Sequence, residues 1–233
     1  SGKSVTSFSI LRLLDRSGGI VSGQINFNSP TLGKINLLAQ PESVMRSIRG
    51  NQVSMIFQEP MTSLNPLLTV GYQITEALRA HRGLSFSEAK KEALALLDKV
   101  QISNALRRFD EYTSQFSGGM RQRVVIAMAL ACRPTLLIAD EPTTALDVTT
   151  QARILDIIKG LQREMSMAVL FITHDLGLVA EVADRAMVMY CGKLVEETDV
   201  DSLFFSPGHP YTSGLLHSMP AAAINYGKRS VLS

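Results

Sequence analysis

The hydrophobic and polar positions of the chain repeat with two periods, and each period predicts a type of element. Four short apolar runs have the length and composition of buried strands: Val53–Phe57, Leu136–Ala139, Ala168–Ile172 and Ala186–Tyr190. Apolar and polar residues alternate in Ile20–Asn28, which is typical of an exposed edge strand. Apolar residues recur at helical spacing in six segments: Ser4–Leu14, Val70–His81, Ser85–Val100, Ala105–Phe109, Gly118–Cys132 and Thr149–Met165.

The order of these elements predicts an α/β fold with an insertion. Strands and helices alternate near both ends of the chain, which favours a mostly parallel sheet covered by helices. No strand is predicted between Glu59 and Ala131, where the pattern is helical. We therefore expect a core of residues 1–58 and 132–198, a helical subdomain of residues 59–131 and a C-terminal tail of residues 199–233.

Composition narrows the class of protein. The chain has 233 residues, of which 45% are hydrophobic and 19% charged, enough for one core and a polar surface. Lys and Arg number 23 against 21 Asp and Glu, and Trp is absent, which argues against a nucleic-acid partner. The longest apolar run, Val124–Cys132, is far shorter than the roughly 20 residues of a membrane-spanning helix. Cys132 and Cys191 both lie in apolar sequence and are predicted to be buried.

The first candidate site is at the start of the chain. Ser1-Gly2-Lys3-Ser4 matches the second half of the phosphate-binding pattern G-x-x-x-x-G-K-[ST]. In that loop, backbone N–H groups and a helix N-terminus hold phosphates, the Lys reaches the β and γ oxygens, and the Ser hydroxyl binds Mg²⁺. Four residues taken alone fit a polar helix start better than a phosphate site, so this pattern needs support from the rest of the chain.

The second candidate site is a pair of acids that follows a predicted strand. Asp140-Glu141 comes directly after the apolar run Leu136–Ala139. Open α/β sheets bind ligands at the carboxyl ends of their strands. The first acid can hold Mg²⁺ through water, and the second can orient or deprotonate an attacking water. The alternative is that both acids cap the following helix.

Three further candidate sites have polar residues at a predicted strand end or helix start. Ser117-Gly118-Gly119 opens the apolar helix, where free N–H groups without side-chain bulk suit a phosphate. His174 follows the run Ala168–Ile172, and Gln58 follows Val53–Phe57. The alternatives are an ordinary Ser cap, a structural histidine and a loop amide.

Together these residues resemble the ATP-binding subunit of an ABC transporter. Ser1–Ser4 matches the end of Walker A, Gln58 the Q-loop, Ser117–Gln122 with Met120 the signature, Asp140-Glu141 Walker B, Ala145-Leu146-Asp147 the D-loop and His174 the switch histidine. The resemblance covers most of the chain. It implies a P-loop, RecA-like ATPase core with an antiparallel edge sheet and an inserted helical subdomain.

The resemblance also implies residue roles. Such subunits work head to tail in pairs, so that Gly2, Lys3 and Ser4 of one subunit and Ser117–Met120 of the other hold each ATP. The implied catalytic residues are Glu141, His174 and Gln58, and the implied Mg²⁺ ligands are Ser4, Gln58 and Asp140. Asp147 would belong to the D-loop.

The subfamily follows from three longer segments. Gln58–Pro66, Ser117–Arg123 and Pro207–Thr212 resemble ATPases that import dipeptides, oligopeptides, nickel and glutathione-type peptides. This resemblance implies two transmembrane permease subunits, a separate substrate-binding protein and a peripheral position on the cytoplasmic face of the inner membrane. Met61–Leu67 is expected near the contact with the permease subunits.

The chain also departs from the family pattern. The family's Walker A begins four residues earlier, and its first strands and adenine-stacking aromatic precede it, so we expect residues 1–233 alone to bind ATP weakly. Thr113-Ser114 stands where relatives often have Pro-His. The alternatives are an inactive truncated fragment, an exporter ATPase, or a soluble ABC-type ATPase of DNA repair or translation. The last of these would need a long coiled-coil insertion or a second cassette.

Overall fold

The structure is a computed structural model that describes residues 2–14, 21–58, 63–144 and 146–219. The chain divides into two compact units. The larger unit is Ser9–Leu170, and the smaller unit combines Ser1–Phe8 with Phe171–Ser233. Ser1, Ala145 and Met61, for which the sequence predicts roles, lie outside the described residues.

The larger unit contains an antiparallel hairpin and a parallel sheet. The hairpin consists of β1 (Asn26–Ser29) and β2 (Gly33–Asn36). β3 (Val53–Ile56) pairs in parallel with β4 (Leu136–Asp140), and the strand order of the sheet is β3-β4-β5. β5 is Ala168–Ile172, of which residues 168–170 belong to the larger unit. All four residues of β3 are buried, as expected for a strand covered on both faces.

Helices fill the segments between these strands. They are α2 (Glu42–Ile48), α3 (Val70–Arg82), α4 (Phe86–Lys99), α5 (Ala105–Phe109), α6 (Gly118–Leu130) and α7 (Val148–Met165), after α1 (Lys3–Ile10) at the start of the chain. Ser85 begins α4 with a capping box that includes Glu88, and Gly83 ends α3 with a φ of 64°. These caps separate two helices that pack against each other.

The core of the larger unit lies around α6, which packs against β3. Val124, Ile126 and Leu130 of α6 are fully buried. A close approach between helices depends on a glycine: a Cβ at Gly71 would lie 2.3 Å from the ring of Phe109. Gly71 therefore allows α3 to lie directly on the Phe109 ring.

The smaller unit contains an antiparallel pair of strands and short helices. After the end of β5 the chain forms α8 (Leu176–Val182), β6 (Arg185–Tyr190), β7 (Lys193–Asp199), α9 (Val200–Phe205) and α10 (Pro210–His217). β6 pairs with β7 through the turn Cys191-Gly192. No helix in the described part of the chain is both long enough and apolar enough to cross a bilayer.

The strands Val53–Phe57, Leu136–Ala139, Ala168–Ile172 and Ala186–Tyr190 are confirmed to within a residue at each end. The helix Gly118–Cys132 is also confirmed, although it ends at Leu130. The division into core, helical subdomain and tail stays a prediction.

Two predicted elements are wrong in their bounds. The edge strand was predicted at Ile20–Asn28, whereas the observed strand is Asn26–Ser29. The Ile25 N–H donates to the Asn36 Oδ1 at 3.0 Å and therefore does not form a backbone hydrogen bond with the neighbouring strand. The helix Ser4–Leu14 ends at Ile10, since Arg12 has a φ of 51° that no α-helix contains.

The prediction that both cysteines are buried is half wrong. Cys132 is buried, and burial raises the pKa of its thiol. Cys191 is exposed, because it lies in the turn between β6 and β7, where its φ is 46°. The segment after Asp199 contains α9 and α10, two helices that the hydrophobic pattern did not predict.

Candidate functional site

The ends of β3 and β4 bring two predicted site residues into contact. The strands are parallel, and Ile56 lies opposite Ala139. Two residues beyond this pair, the Gln58 Nε2 donates to the Glu141 Oε2 at 3.1 Å. The Thr144 Oγ1 donates to the same carboxylate oxygen at 2.9 Å. The carboxylate of Glu141 is therefore held from two sides at a strand end.

The backbone of Glu141 is strained. Its φ is 48°, in the left-handed region that costs a non-glycine residue roughly 1–2 kcal/mol. The turn that follows closes with a 3.2 Å hydrogen bond from the Thr144 N–H to the Glu141 carbonyl. Strain of this kind concentrates at functional sites, which supports a role for this carboxylate beyond packing.

Asp140 is the last residue of β4 and is only 2% exposed. It follows Leu137, Ile138 and Ala139, which are fully buried. Gln58 contacts Glu141 through its amide nitrogen, so this hydrogen bond does not use its amide oxygen. Carboxylate and amide oxygens are hard donors that suit Mg²⁺, so Asp140 and Gln58 fit the predicted cation.

The predicted signature residues form the N-terminus of α6. The Ser117 Oγ accepts the Met120 N–H at 3.4 Å and caps the helix. A Cβ at Gly119 would lie 2.8 Å from the Thr150 Cγ2, so only glycine lets the first turn of α6 lie this close to α7. A cavity of about 350 Å³ opens beside this contact. It is lined by Ser117, Gly118, Gly119, Arg123, Leu146, Asp147, Thr150, Arg153 and Ile154.

Asp147 begins α7 and lines the same cavity. Its Oδ1 accepts from the Thr149 hydroxyl and from the Thr150 N–H at 2.9 Å, and its Oδ2 accepts from the Thr150 hydroxyl at 2.7 Å. These bonds, the one from Thr149 foremost, hold the pKa of the carboxyl far below its usual range. Asp147 is therefore ionised at neutral pH and fixes the segment that resembles a D-loop.

In the smaller unit, the predicted phosphate-binding residues lie at the start of α1. Gly2 has a φ of 96° and precedes Lys3 and Ser4, the first two residues of the helix. The Lys3 Nζ donates to the Thr173 carbonyl at 2.8 Å. Lys3 therefore contacts the residue immediately before His174.

The turn that carries His174 is fixed by its neighbours. The Asp175 N–H donates to the Thr173 Oγ1 at 3.0 Å. The Asp175 Oδ1 accepts the Gly177 N–H at 2.8 Å and caps α8. His174 thus lies between a strand end and a capped helix, as the sequence placed it.

The structure therefore forms three local groups of the predicted residues. Gln58 meets Glu141 beside Asp140, the residues Ser117–Gly119 meet Asp147 around one cavity, and Lys3 meets the His174 turn. Their functional roles stay predictions. Sequence reasoning missed Thr144 and the residues Gln101, Arg123 and Arg153. The contact of Thr144 could have been predicted, because its hydroxyl lies three residues after Glu141. Nothing in the sequence connects Gln101, Arg123 and Arg153 with one another.

The family described as ABC transporter matches residues 1–144, and the chain belongs to this family. This match spans Ser1–Ser4, Gln58, Ser117–Gln122 and the Asp140-Glu141 pair.

Two groups of relatives have names that specify what they import. A protein of Brucella melitensis, named as a peptide import ATP-binding protein, is 58% identical over 221 residues, which are 94% of this chain and 65% of the relative. The glutathione import ATP-binding protein GsiA of Pectobacterium atrosepticum is 54% identical over 222 residues, 95% of this chain and 36% of GsiA. The chain thus spans about two thirds or less of these relatives.

Solved structures agree on the fold. The dimeric ATP-binding cassette MJ0796, in a post-hydrolysis state bound to ADP and Pi, has a TM-score of 0.69 and 28% identity. The match covers 83% of this chain and 80% of that chain. A second dimeric structure of MJ0796, a bacterial ABC transporter cassette, has a TM-score of 0.68. The predicted fold class, a P-loop ATPase core with an antiparallel edge sheet and a helical insertion, is confirmed.

Proposed function

We propose that this chain is the ATP-hydrolysing part of an importer that takes up peptides. The observation that carries the proposal is the Glu141 carboxylate, held by Gln58 and Thr144 at the end of a parallel strand and preceded by buried Asp140. A fixed carboxylate at this edge of an α/β sheet suits deprotonation of an attacking water. The matches to ABC cassettes support ATP as the substrate.

Each local group has a distinct task in this proposal. Glu141 takes the proton of the water that attacks the γ-phosphate, and His174 positions the phosphate or the water. Lys3 exchanges the Thr173 carbonyl for phosphate oxygens and neutralises their charge. Ser117–Gly119 binds the ATP held by a second cassette, so two chains act head to tail, and the dimeric MJ0796 structures support this arrangement.

Mg²⁺ is the cation that this proposal requires. Asp140 and Gln58, at two strand ends of the larger unit, supply oxygen donors that suit it. The resemblance to the family implies Ser4 as a further ligand. A cation there offsets the negative charge of the β and γ phosphates.

Import of peptides is supported by the relatives, whose names assign them to peptide and glutathione import. Two permease subunits, a separate substrate-binding protein and a peripheral position on the cytoplasmic face of the inner membrane complete the proposal, and no nucleic acid is involved. A surface for the permease is supported by exposed apolar side chains around the start of α3. Leu67, which precedes the helix, is 81% exposed, and Tyr72 in its first turn is 44% exposed.

Complementation between two variants of the full-length protein tests the proposal. Lys3→Ala and Ser117→Arg each damage both sites of a symmetric dimer, whereas a mixed dimer has one intact site and one site with both lesions. We expect each variant alone to lose ATP hydrolysis and uptake of labelled peptide, and co-expression to restore part of both. Mixed dimers, verified by two affinity tags, that recover neither activity would contradict the head-to-tail arrangement. Hydrolysis without peptide uptake in the wild type would contradict the transport part.

A further inference from the structure

The signature cavity has a cationic side that the family resemblance does not explain. Arg123 from α6 and Arg153 from α7 both line it. We propose that these two arginines bind the phosphates of the nucleotide held by a second cassette, and that Gln101 is the positioning residue for both. The inference rests on the proposed function, because it extends the same cavity.

One residue orients both guanidinium groups. Gln101 follows α4 in a left-handed conformation with a φ of 59°. Its backbone carbonyl accepts a hydrogen bond from the Arg123 Nη1, and its side-chain Oε1 accepts one from the Arg153 Nε at 2.6 Å. The Arg123 Nε also donates to the Gly119 carbonyl at 3.3 Å. The Nη2 of Arg123 and both terminal nitrogens of Arg153 are then left for a ligand.

The charges around the cavity favour an anion. Among the described residues, neither Arg123 nor Arg153 forms an ion pair with a carboxylate. Burial, and then the positive charge of Arg153, lowers the pKa of Arg123, so the two like charges repel each other. The one acid of the lining is Asp147, and both of its oxygens accept hydrogen bonds from Thr149 and Thr150. An anion would relieve the repulsion between the arginines.

Phosphate suits this cavity better than a single carboxylate. The N-termini of α6 and α7 add partial positive charge, and the Ser117 hydroxyl and the first N–H groups of α6 add donors. The planar fork of arginine matches the oxygens of phosphate with two parallel hydrogen bonds. A volume of about 350 Å³ accommodates a chain of phosphates.

The test measures dimer formation by the full-length protein. In a Glu141→Gln background, which prevents turnover, the fraction of dimer is measured by analytical ultracentrifugation over a series of ATP concentrations. We expect Arg153→Gln to raise the ATP concentration for half-dimerisation about tenfold, the scale of one lost hydrogen bond between charged groups at each of two sites. The matched control is Arg163→Gln, which removes the same charge from an exposed position in the last turn of α7.

Gln101→Ala tests the positioning role. It leaves both charges in place and removes only the acceptor for the Arg153 Nε, so we expect a shift between those of Arg163→Gln and Arg153→Gln. Thermal unfolding of every variant identifies a folding defect, which Arg153→Gln is not expected to cause because its side chain is exposed. Binding of ATP by the monomer, measured with a fluorescent analogue, is expected to stay unchanged.

Three results would overturn the inference. Arg153→Gln could dimerise at the same ATP concentration as Arg163→Gln, which would leave the proposed function intact. Arg153→Gln could weaken dimerisation equally with and without ATP, which would identify a protein carboxylate as the bound anion. The Glu141→Gln parent could fail to dimerise with ATP at all, which would refute the head-to-tail arrangement and this inference together.

Discussion

Replacing Glu141 by Gln keeps the shape of the side chain and removes its capacity to take a proton. In the structure, Gln58 and Thr144 both donate to one oxygen of the carboxylate. The amide oxygen of a glutamine can accept both of these bonds, so the turn after β4 keeps its contacts. The substitution therefore separates the chemistry of this residue from its structural role.

The expected magnitudes follow from these contacts. The free energy of unfolding should change by no more than about 0.5 kcal/mol, the range for a substitution that breaks no buried contact. ATP hydrolysis should fall by at least 10²-fold, the usual loss when a general base is removed, which corresponds to about 2.7 kcal/mol of activation free energy.

The assay is steady-state release of phosphate by the full-length protein, with thermal unfolding measured on the same samples. Glu164→Gln is the matched control: it removes an exposed carboxylate that pairs with Lys99 at the surface, and hydrolysis should not change. A rate for Glu141→Gln above about a tenth of the wild-type rate would refute the assignment of Glu141 as the base.

Two further predictions concern the helical insertion. Gly71→Ala should destabilise the protein by about 1–3 kcal/mol, because the new Cβ would lie 2.3 Å from the Phe109 ring. The control Gly160→Ala, in open space, should stabilise it by about 0.5–1 kcal/mol. Equal changes in the free energy of urea unfolding for the two variants would contradict this packing. Thr69→Ala should cost about 1 kcal/mol, since the Thr69 Oγ1 accepts the Tyr72 N–H at 3.3 Å at the start of α3, and Thr69→Ser should restore most of it.

The sequence determined which residues stand at strand ends and helix starts. Apolar runs of four or five residues followed by polar side chains placed Gln58, Asp140, Glu141 and His174 correctly, because such runs are buried wherever the fold puts them. The start of the helix at Ser117-Gly118-Gly119 was also predicted correctly, since capping is a local interaction between residues close in the chain.

The sequence was less reliable where a distant side chain competes with the local pattern. The alternation of Ile20–Asn28 predicted a strand, but the Asn36 side chain takes the N–H of Ile25. The turn at Cys191 exposes a residue whose neighbours are apolar, because a reversal between two strands must lie at the surface. The Asn36 contact has no signature within a few residues of Ile25, whereas Gly192, with a φ of 78°, is a turn signal next to Cys191.

Only the tertiary structure decided which of these groups meet. The contact between Gln58 and Glu141 depends on the pairing of β3 with β4 and on the register that sets Ile56 opposite Ala139, although 83 positions separate the two residues in the chain. The contact of Gln101 with two arginines likewise needs three elements to converge. Periodicity specifies which face of an element is buried but not which element covers it. Partners and register are therefore set by packing across the whole unit.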